Sequence, residues 1–182
     1  MRVIAGKAKG HRLYAPNDRR VRPALDQVKE AIFNILFDVS DLWVLDLFAG
    51  CGSVGIEALS RGAHHATFVE EWKPCLDAIK KNLIHCKLET QASIVRASVE
   101  RGIARLSKTA EKFNLVFVDP PYEKNLVNPT LKLLESSPIL GDDCIIVVEH
   151  HPKEPLENFS RLALTDSRKY GQTLVSFLNM AR

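Results

Sequence analysis

Trp43-Val44-Leu45-Asp46-Leu47-Phe48-Ala49-Gly50-Cys51-Gly52-Ser53-Val54-Gly55 decides the fold of this chain. The first five residues are a short apolar run of the kind that forms a buried strand. Glycines then break the run, and Val54 to Arg61 has the make-up of a helix closed by Gly62. A strand, a glycine turn and a helix in direct succession form a ligand cradle. Small residues let the backbone approach closely, and the helix start presents free N–H groups.

Working outward, the same alternation recurs. Ala66 to Val69 reads as a second strand ending at Glu70, followed by a helix from Pro74 to His85. Ser93 to Val95 is a third strand, followed by a short helix near Val99 to Leu106. Leu115 to Val118 and Cys144 to Val148 are the fourth and fifth strands, with a helix around Val127 to Glu135 between them. The fifth strand ends at Glu149. This rhythm predicts an α/β protein with a doubly wound, Rossmann-like sheet. Near the end Leu162 to Leu164 and Thr173 to Leu178 are separated only by a glycine turn, Lys169-Tyr170-Gly171-Gln172. That pattern predicts an antiparallel hairpin, so the sheet is mostly parallel with one reversed strand near an edge.

Upstream, Val3 to Ala5 and Arg12 to Tyr14 flank Gly6 and Gly10 and read as a small β-hairpin with a basic turn. A charged loop, Asn17 to Arg22, leads to a helix from Pro23 whose Leu25, Val28, Ile32, Ile35 and Leu36 share one face. Residues 1–40 are thus expected to form an extension, and residues 41–182 the main α/β domain, as a single structural unit.

With 182 residues, 46% hydrophobic and 26% charged, the chain fits one ordinary globular domain. The net charge of +3 says little, but its distribution says more. Arg2, Lys7, Lys9, Arg12, Arg19, Arg20, Arg22 and Lys29 precede Glu30, opposed only by Asp18 and Asp26. Such a segment on a nearly neutral body suggests phosphate contact; a solvated leader is the plainer alternative. No stretch has signal-peptide or membrane-spanning length, so a cytoplasmic location is expected. The four cysteines are scattered and the histidines pair only as sequence neighbours, so reduced structural thiols and no metal are expected.

The most specific chemistry lies in Asp119-Pro120-Pro121-Tyr122, directly after the fourth strand. Two prolines cannot continue a central strand, so the chain must pass into a rigid loop. A carboxylate, fixed imide carbonyls and an aromatic ring suit a planar base that bears an amine. Gly50, Gly52 and Gly55 satisfy G-x-G-x-x-G, with Glu70 twenty residues after Gly50, which is also a dinucleotide fingerprint. Asp46 argues against NAD: its carboxylate would repel a pyrophosphate, yet it suits the ammonium of S-adenosylmethionine. Glu70 can accept ribose hydroxyls, and Ser98, at the third strand tip, can meet an adenine amine or be a plain loop serine. The plainer alternative for Asp46 is a local helix or turn cap. Cys51 is read as a packing residue.

These motifs resemble the class I S-adenosylmethionine-dependent methyltransferases. More narrowly, the chain is similar to the bacterial 16S rRNA (guanine-N2)-methyltransferase family, RsmD, over nearly its whole length. The likeness rests on Arg2 to Gly6, on Arg22-Pro23 with Asp26 and Val28 to Asn34, and on Asp46 to Gly52. It extends to Gly55 with Glu57 to Gly62, Asp119 to Tyr122, and Tyr170-Gly171 with Thr173. The resemblance implies a seven-stranded sheet with strand 7 reversed and S-adenosyl-L-methionine as methyl donor. It implies Asp46, Phe48, Gly50, Gly52, Glu70, Ser98 and Asp119 around that donor, and Asp119, Pro120 and Tyr122 on the target guanine. Lys7, Lys9, Arg12, Arg22 and Lys29 are expected to hold RNA, with Arg19 and Arg20 as secondary contacts.

Two positions depart from the family. Cys51 stands where Ser is frequent, and Ser98 stands where many relatives carry Asp. The adenine contact then falls to Ser98 itself or to backbone N–H groups around it. The implied partner is 16S rRNA within the 30S subunit or a late assembly intermediate, met by a monomer. An adenine-N6 methyltransferase on DNA or RNA, an NAD-dependent oxidoreductase and a non-catalytic RNA-binding module are the competing readings.

Overall fold

In the computed structural model, which describes residues 1–16, 26–121 and 124–181, five α-helices and seven strands follow one another in the order the sequence predicts. The strands are β1 (Trp43–Leu47), β2 (His65–Glu70), β3 (Ala92–Arg96), β4 (Phe113–Val118), β5 (Leu140–His150), β6 (Leu162–Tyr170) and β7 (Thr173–Met180). The helices are α1 (Asp26–Leu36), α2 (Ser53–Ser60), α3 (Lys73–Cys86), α4 (Val99–Leu106) and α5 (Val127–Ser136). The sheet order is β3-β2-β1-β4-β5-β7-β6.

β1 pairs in parallel with both β2 and β4, so the strand order reverses beside it, and that crevice is where open α/β sheets bind ligands. Alternation along β1 sends Val44 and Asp46 toward α1, α2 and α3, while Leu45 and Leu47 join the core under α4 and α5. Only β7 runs against its neighbours, inserted between β5 and β6. Its central residues are buried, whereas most of β6, with Thr165, Arg168 and Lys169, is exposed. The more apolar strand takes the inner position and the charged one blunts the edge.

The N-terminal hairpin is slighter than expected: one antiparallel bridge, Arg2 to Arg12, around a turn. It lies against α2, all eight residues of which are buried. Ile4 and Ala5 donate backbone N–H groups to Glu57 at 2.8 and 3.0 Å, and Lys7 donates to the Ser60 carbonyl at 2.8 Å. Gly6, at φ +79°, passes so close that an added Cβ would sit 1.8 Å from that carbonyl oxygen. The first predicted residues of the α1 helix, Pro23 to Leu25, lie outside the described residues.

Lys29 requires a correction. The basic count assigns it to RNA, but its side chain has no solvent exposure. Its ammonium donates to the Arg2 carbonyl at 2.7 Å and to Ser53 Oγ at 3.4 Å, and lies 3.4 Å from Glu57 Oε2. The register of α1 is the cause: Val28, Lys29, Ile32 and Phe33 form its buried stripe. A phosphate cannot reach this lysine.

Candidate active site at the tips of the central strands

The glycine turn is shaped by three left-handed residues: Phe48 (φ +57°), Gly50 (+56°) and Gly52 (+80°). For phenylalanine that conformation is rare, and local strain of this kind concentrates at ligand sites. The turn is tied to β2, since Ala49 N–H donates to the Val69 carbonyl at 3.1 Å and Gly50 N–H to Glu70 Oε2 at 2.9 Å. Gly55 plays the packing part of the third glycine, because a Cβ there would meet the Phe68 ring at 2.4 Å.

Asp46 is buried at the mouth of β1 and accepts from Gly55 N–H at 3.0 Å. Burial raises its pKa to about 8, and the neighbouring charges of Asp119 and Glu70 push the same way. Glu70, at the tip of β2, is held by three backbone donors. Oε1 accepts from Glu71 and Trp72 at 2.9 and 2.8 Å, and Oε2 accepts from Gly50. Oε2 therefore keeps room for one further donor, fewer than the pair of ribose hydroxyls that the bare sequence allows.

β4 ends at Val118, and half-buried Asp119 and buried Pro120 follow, so the strand stops where the prolines require. The register aligns Val118 with Leu47 of β1 and with Val148 of β5, which brings Asp119 to the same rim as Asp46 and Glu149. Sequence reasoning passed over Glu149. Its carboxyl is pushed well above the ordinary range, first by burial and then by the charges of Asp119 and Asp46. The signal was present: the β1, β2, β4 and β5 runs all reach a carboxylate at or near their ends. The result is a cluster of carboxyls, two of them buried and raised in pKa, whose ionisation a cationic ligand would favour. Among the described residues no group of three or more His, Cys, Asp or Glu is placed to hold a metal ion.

Ser98 serves as the N-cap of α4, its Oγ accepting from Arg101 N–H at 3.5 Å, and Ala97 N–H donates to the Glu70 carbonyl at 3.1 Å. The β3 tip thus adjoins the β2 tip. All four cysteines are buried free thiols, and burial raises the Cys51 thiol to about 11. Such a thiol is a poor nucleophile. Lys7, Lys9 and Arg12 are exposed on the hairpin, with Lys7 Nζ donating to Gln91 Oε1. Tyr122, Arg19, Arg20 and Arg22 lie outside the described residues.

The structure thus brings Asp46, Phe48, Gly50, Gly52, Glu70, Asp119 and Pro120 to the adjoining tips of β1, β2 and β4. A family model described as "Conserved hypothetical protein 95" matches residues 1–179. A Bacillus subtilis protein named as a candidate rRNA methyltransferase, YlbH, is 38% identical over 178 residues, covering 97% of both chains. The Escherichia coli ribosomal RNA small subunit methyltransferase D is 37% identical over 150 residues, 82% of this chain and 74% of that one. A solved Escherichia coli structure described as a candidate methyltransferase, yhhF, superposes with a TM-score of 0.84 at 32% identity, covering 99% and 97% of the two chains.

Proposed function

Because this chain belongs to the family of the ribosomal RNA small subunit methyltransferases D, we propose that it methylates the exocyclic N2 of a guanine in 16S rRNA. S-adenosyl-L-methionine supplies the methyl group, carried on a positively charged sulphur. The observation that carries this reading is the row of carboxyls at the tips of β2, β1, β4 and β5, set beside a proline-stiffened loop.

In this reading Asp46 faces the donor's ammonium, and the backbone at Phe48, Gly50 and Gly52 curves around its methionine end. The remaining acceptor site on Glu70 Oε2 takes one ribose hydroxyl, and the turn at Ser98 borders the adenine. Asp119 and the Pro120 carbonyl accept the two hydrogens of the guanine amine and turn its lone pair toward the methyl carbon. As the N–C bond forms and the C–S bond breaks, sulphur keeps the bonding pair and the amine becomes cationic. The carboxylate of Asp119 stabilises that charge until one proton leaves. Alignment of the two partners supplies much of the acceleration. Tyr122 stacks on the base, which must be unstacked from its neighbours to enter. The exposed Lys7, Lys9 and Arg12, together with Arg22, hold the RNA backbone.

We further place the substrate within the 30S subunit or a late assembly intermediate, met by a monomer in the cytoplasm. So short a chain has little surface with which to read naked RNA at length. No helix among the described residues is long and apolar enough to cross a membrane. The test is transfer of a labelled methyl group to unmodified 16S rRNA and to 30S particles, with the modified nucleoside mapped. N2-methylguanine is the expected product. N6-methyladenine would move the enzyme to the competing amine substrate, and no transfer would overturn the reading.

A further inference from the structure

The N-terminal hairpin does more than carry charge. Tyr14 leaves it with 44% of its surface exposed, the most accessible aromatic ring among the described residues after Phe37. The backbone of Tyr14 is fixed by a buried side chain. Its N–H donates to Asn82 Oδ1 at 2.7 Å, and its carbonyl accepts from Asn82 Nδ2 at 2.9 Å. The same buried Asn82 amide donates to the carbonyl of Cys51, between the two glycines of the cofactor turn, at 2.9 Å. The residue is thus tied to the glycine turn of the candidate active site while its ring stays partly exposed.

Two basic residues of α3 attend that ring. Lys81 Nζ lies 3.6 Å from the ring centroid, and His85 meets the ring edge-on at 5.6 Å. Lys81 and His85 are spaced i,i+4 and share one helix face. Lys81, His85, Lys9 and Arg12 are exposed, and Lys7 reaches across to Gln91. The nearby Asp77 is already engaged by Lys73 at 2.8 Å. An aromatic face with flanking ammonium and guanidinium groups is how proteins hold unpaired nucleotides: the ring stacks on a base and the cations meet the phosphates. Lys81 occupies the ring face in the free protein, and its long, solvated side chain can swing to a phosphate when a base arrives.

We propose that Tyr14, flanked by Lys81 and His85, is a stacking subsite for an unpaired nucleotide of the RNA, outside the methyl-transfer crevice and continuous with Lys7, Lys9 and Arg12. The proposal rests on the rRNA reading above and names a contact that the basic hairpin alone does not supply.

The test compares Tyr14→Ala, Tyr14→Phe and Lys81→Ala in methyl transfer to 30S particles, with donor affinity measured separately by calorimetry. Tyr14→Ala is expected to raise KM for the particle about 10-fold, with kcat and donor Kd within about twofold of the parent. Tyr14→Phe, which keeps the ring, is expected to behave as the parent. Lys81→Ala is expected to reduce the slope of log KM against log salt by about one. An unchanged KM in Tyr14→Ala overturns the proposal. So does equal loss in Tyr14→Phe, or weakened donor binding in Tyr14→Ala, which would mark a structural role. A photo-crosslinking amino acid at position 14 is expected to join to rRNA, and a crosslink to a ribosomal protein overturns the proposal. If the parent protein itself transfers no methyl group to rRNA, the functional reading falls and takes this subsite with it. Transfer by the parent with an indifferent Tyr14→Ala removes the subsite alone.

Discussion

Lys29 Nζ lies 3.4 Å from Oε2 of Glu57, and neither side chain is exposed to solvent. Glu57 is also held by Arg61 at 2.8 Å and by the backbone N–H groups of Ile4 and Ala5. This buried pair fastens α1 and the N-terminal hairpin to the helix that follows the glycine turn. Burial lowers the lysine's pKa, and Glu57 opposes the shift. Removing the lysine takes one of two cationic partners from a buried carboxylate. Lys29→Met is therefore expected to cost about 3 kcal/mol in urea denaturation, the remaining bonds to Glu57 keeping the loss at the low end of the usual range. For the protein that stays folded, the salt dependence of RNA binding should be unchanged. A flatter salt slope would restore the lysine to the phosphate-contacting set.

Gly6 and Gly10 give a matched pair for testing the docking of the hairpin. Both have positive φ, but a Cβ on Gly6 would strike the Ser60 carbonyl, whereas nothing lies within 4 Å of one on Gly10. Gly10→Ala is expected to cost about 1 kcal/mol from backbone strain alone. Gly6→Ala is expected to cost about 2–4 kcal/mol and to open residues 1–16 to limited proteolysis. Equal losses in the two variants would contradict the close approach.

Most of the sheet was legible because β1 to β4 and β7 are short, largely apolar runs, and such runs have few other fates; only the apolar parts of β5 and β6, Cys144 to Val148 and Leu162 to Leu164, were read, because their remaining residues are charged or exposed. The reversed strand was legible because no helix fits between β6 and β7. Lys29 was misread because a count of charges ignores helical register; its place between Val28 and Ile32 held the information. Glu149 was visible as the end of a strand. Its burial depends on β5 lying between β4 and β7, a tertiary fact that no local pattern encodes. The hairpin was overestimated because two short apolar runs around glycines fit a single bridge as well as a ladder.

Asp46 provides a pH signature. Its carboxyl is raised to about 8 in the folded protein, against about 3.9 in an unfolded chain. The folded state therefore binds the extra proton between those values, and the stability this contributes is lost as pH rises toward 8. A ligand ammonium favours the carboxylate, so donor affinity should increase from pH 6 to pH 8, with proton release on binding. Calorimetry in buffers of different ionisation enthalpy measures that release. Asp46→Asn should remove most of it, weaken the donor about 10-fold or more, and flatten the fall in stability. Affinity independent of pH would separate Asp46 from the ligand.

Ser98 is an N-cap first. Ser98→Ala is expected to lower stability by about 1 kcal/mol, as loss of a helix cap does. Donor affinity should change less than about threefold, because the neighbouring backbone N–H groups remain to meet the adenine. A much larger loss of affinity would assign the adenine contact to the hydroxyl itself.

The most direct measurement is a crystal structure with S-adenosylhomocysteine bound. The account predicts the ligand across the tips of β1 and β2, its amino group against Asp46, a ribose hydroxyl on Glu70 Oε2, and its sulphur turned toward Asp119 and Pro120. A ligand lodged away from β1, or one whose sulphur faces away from Asp119, would contradict it.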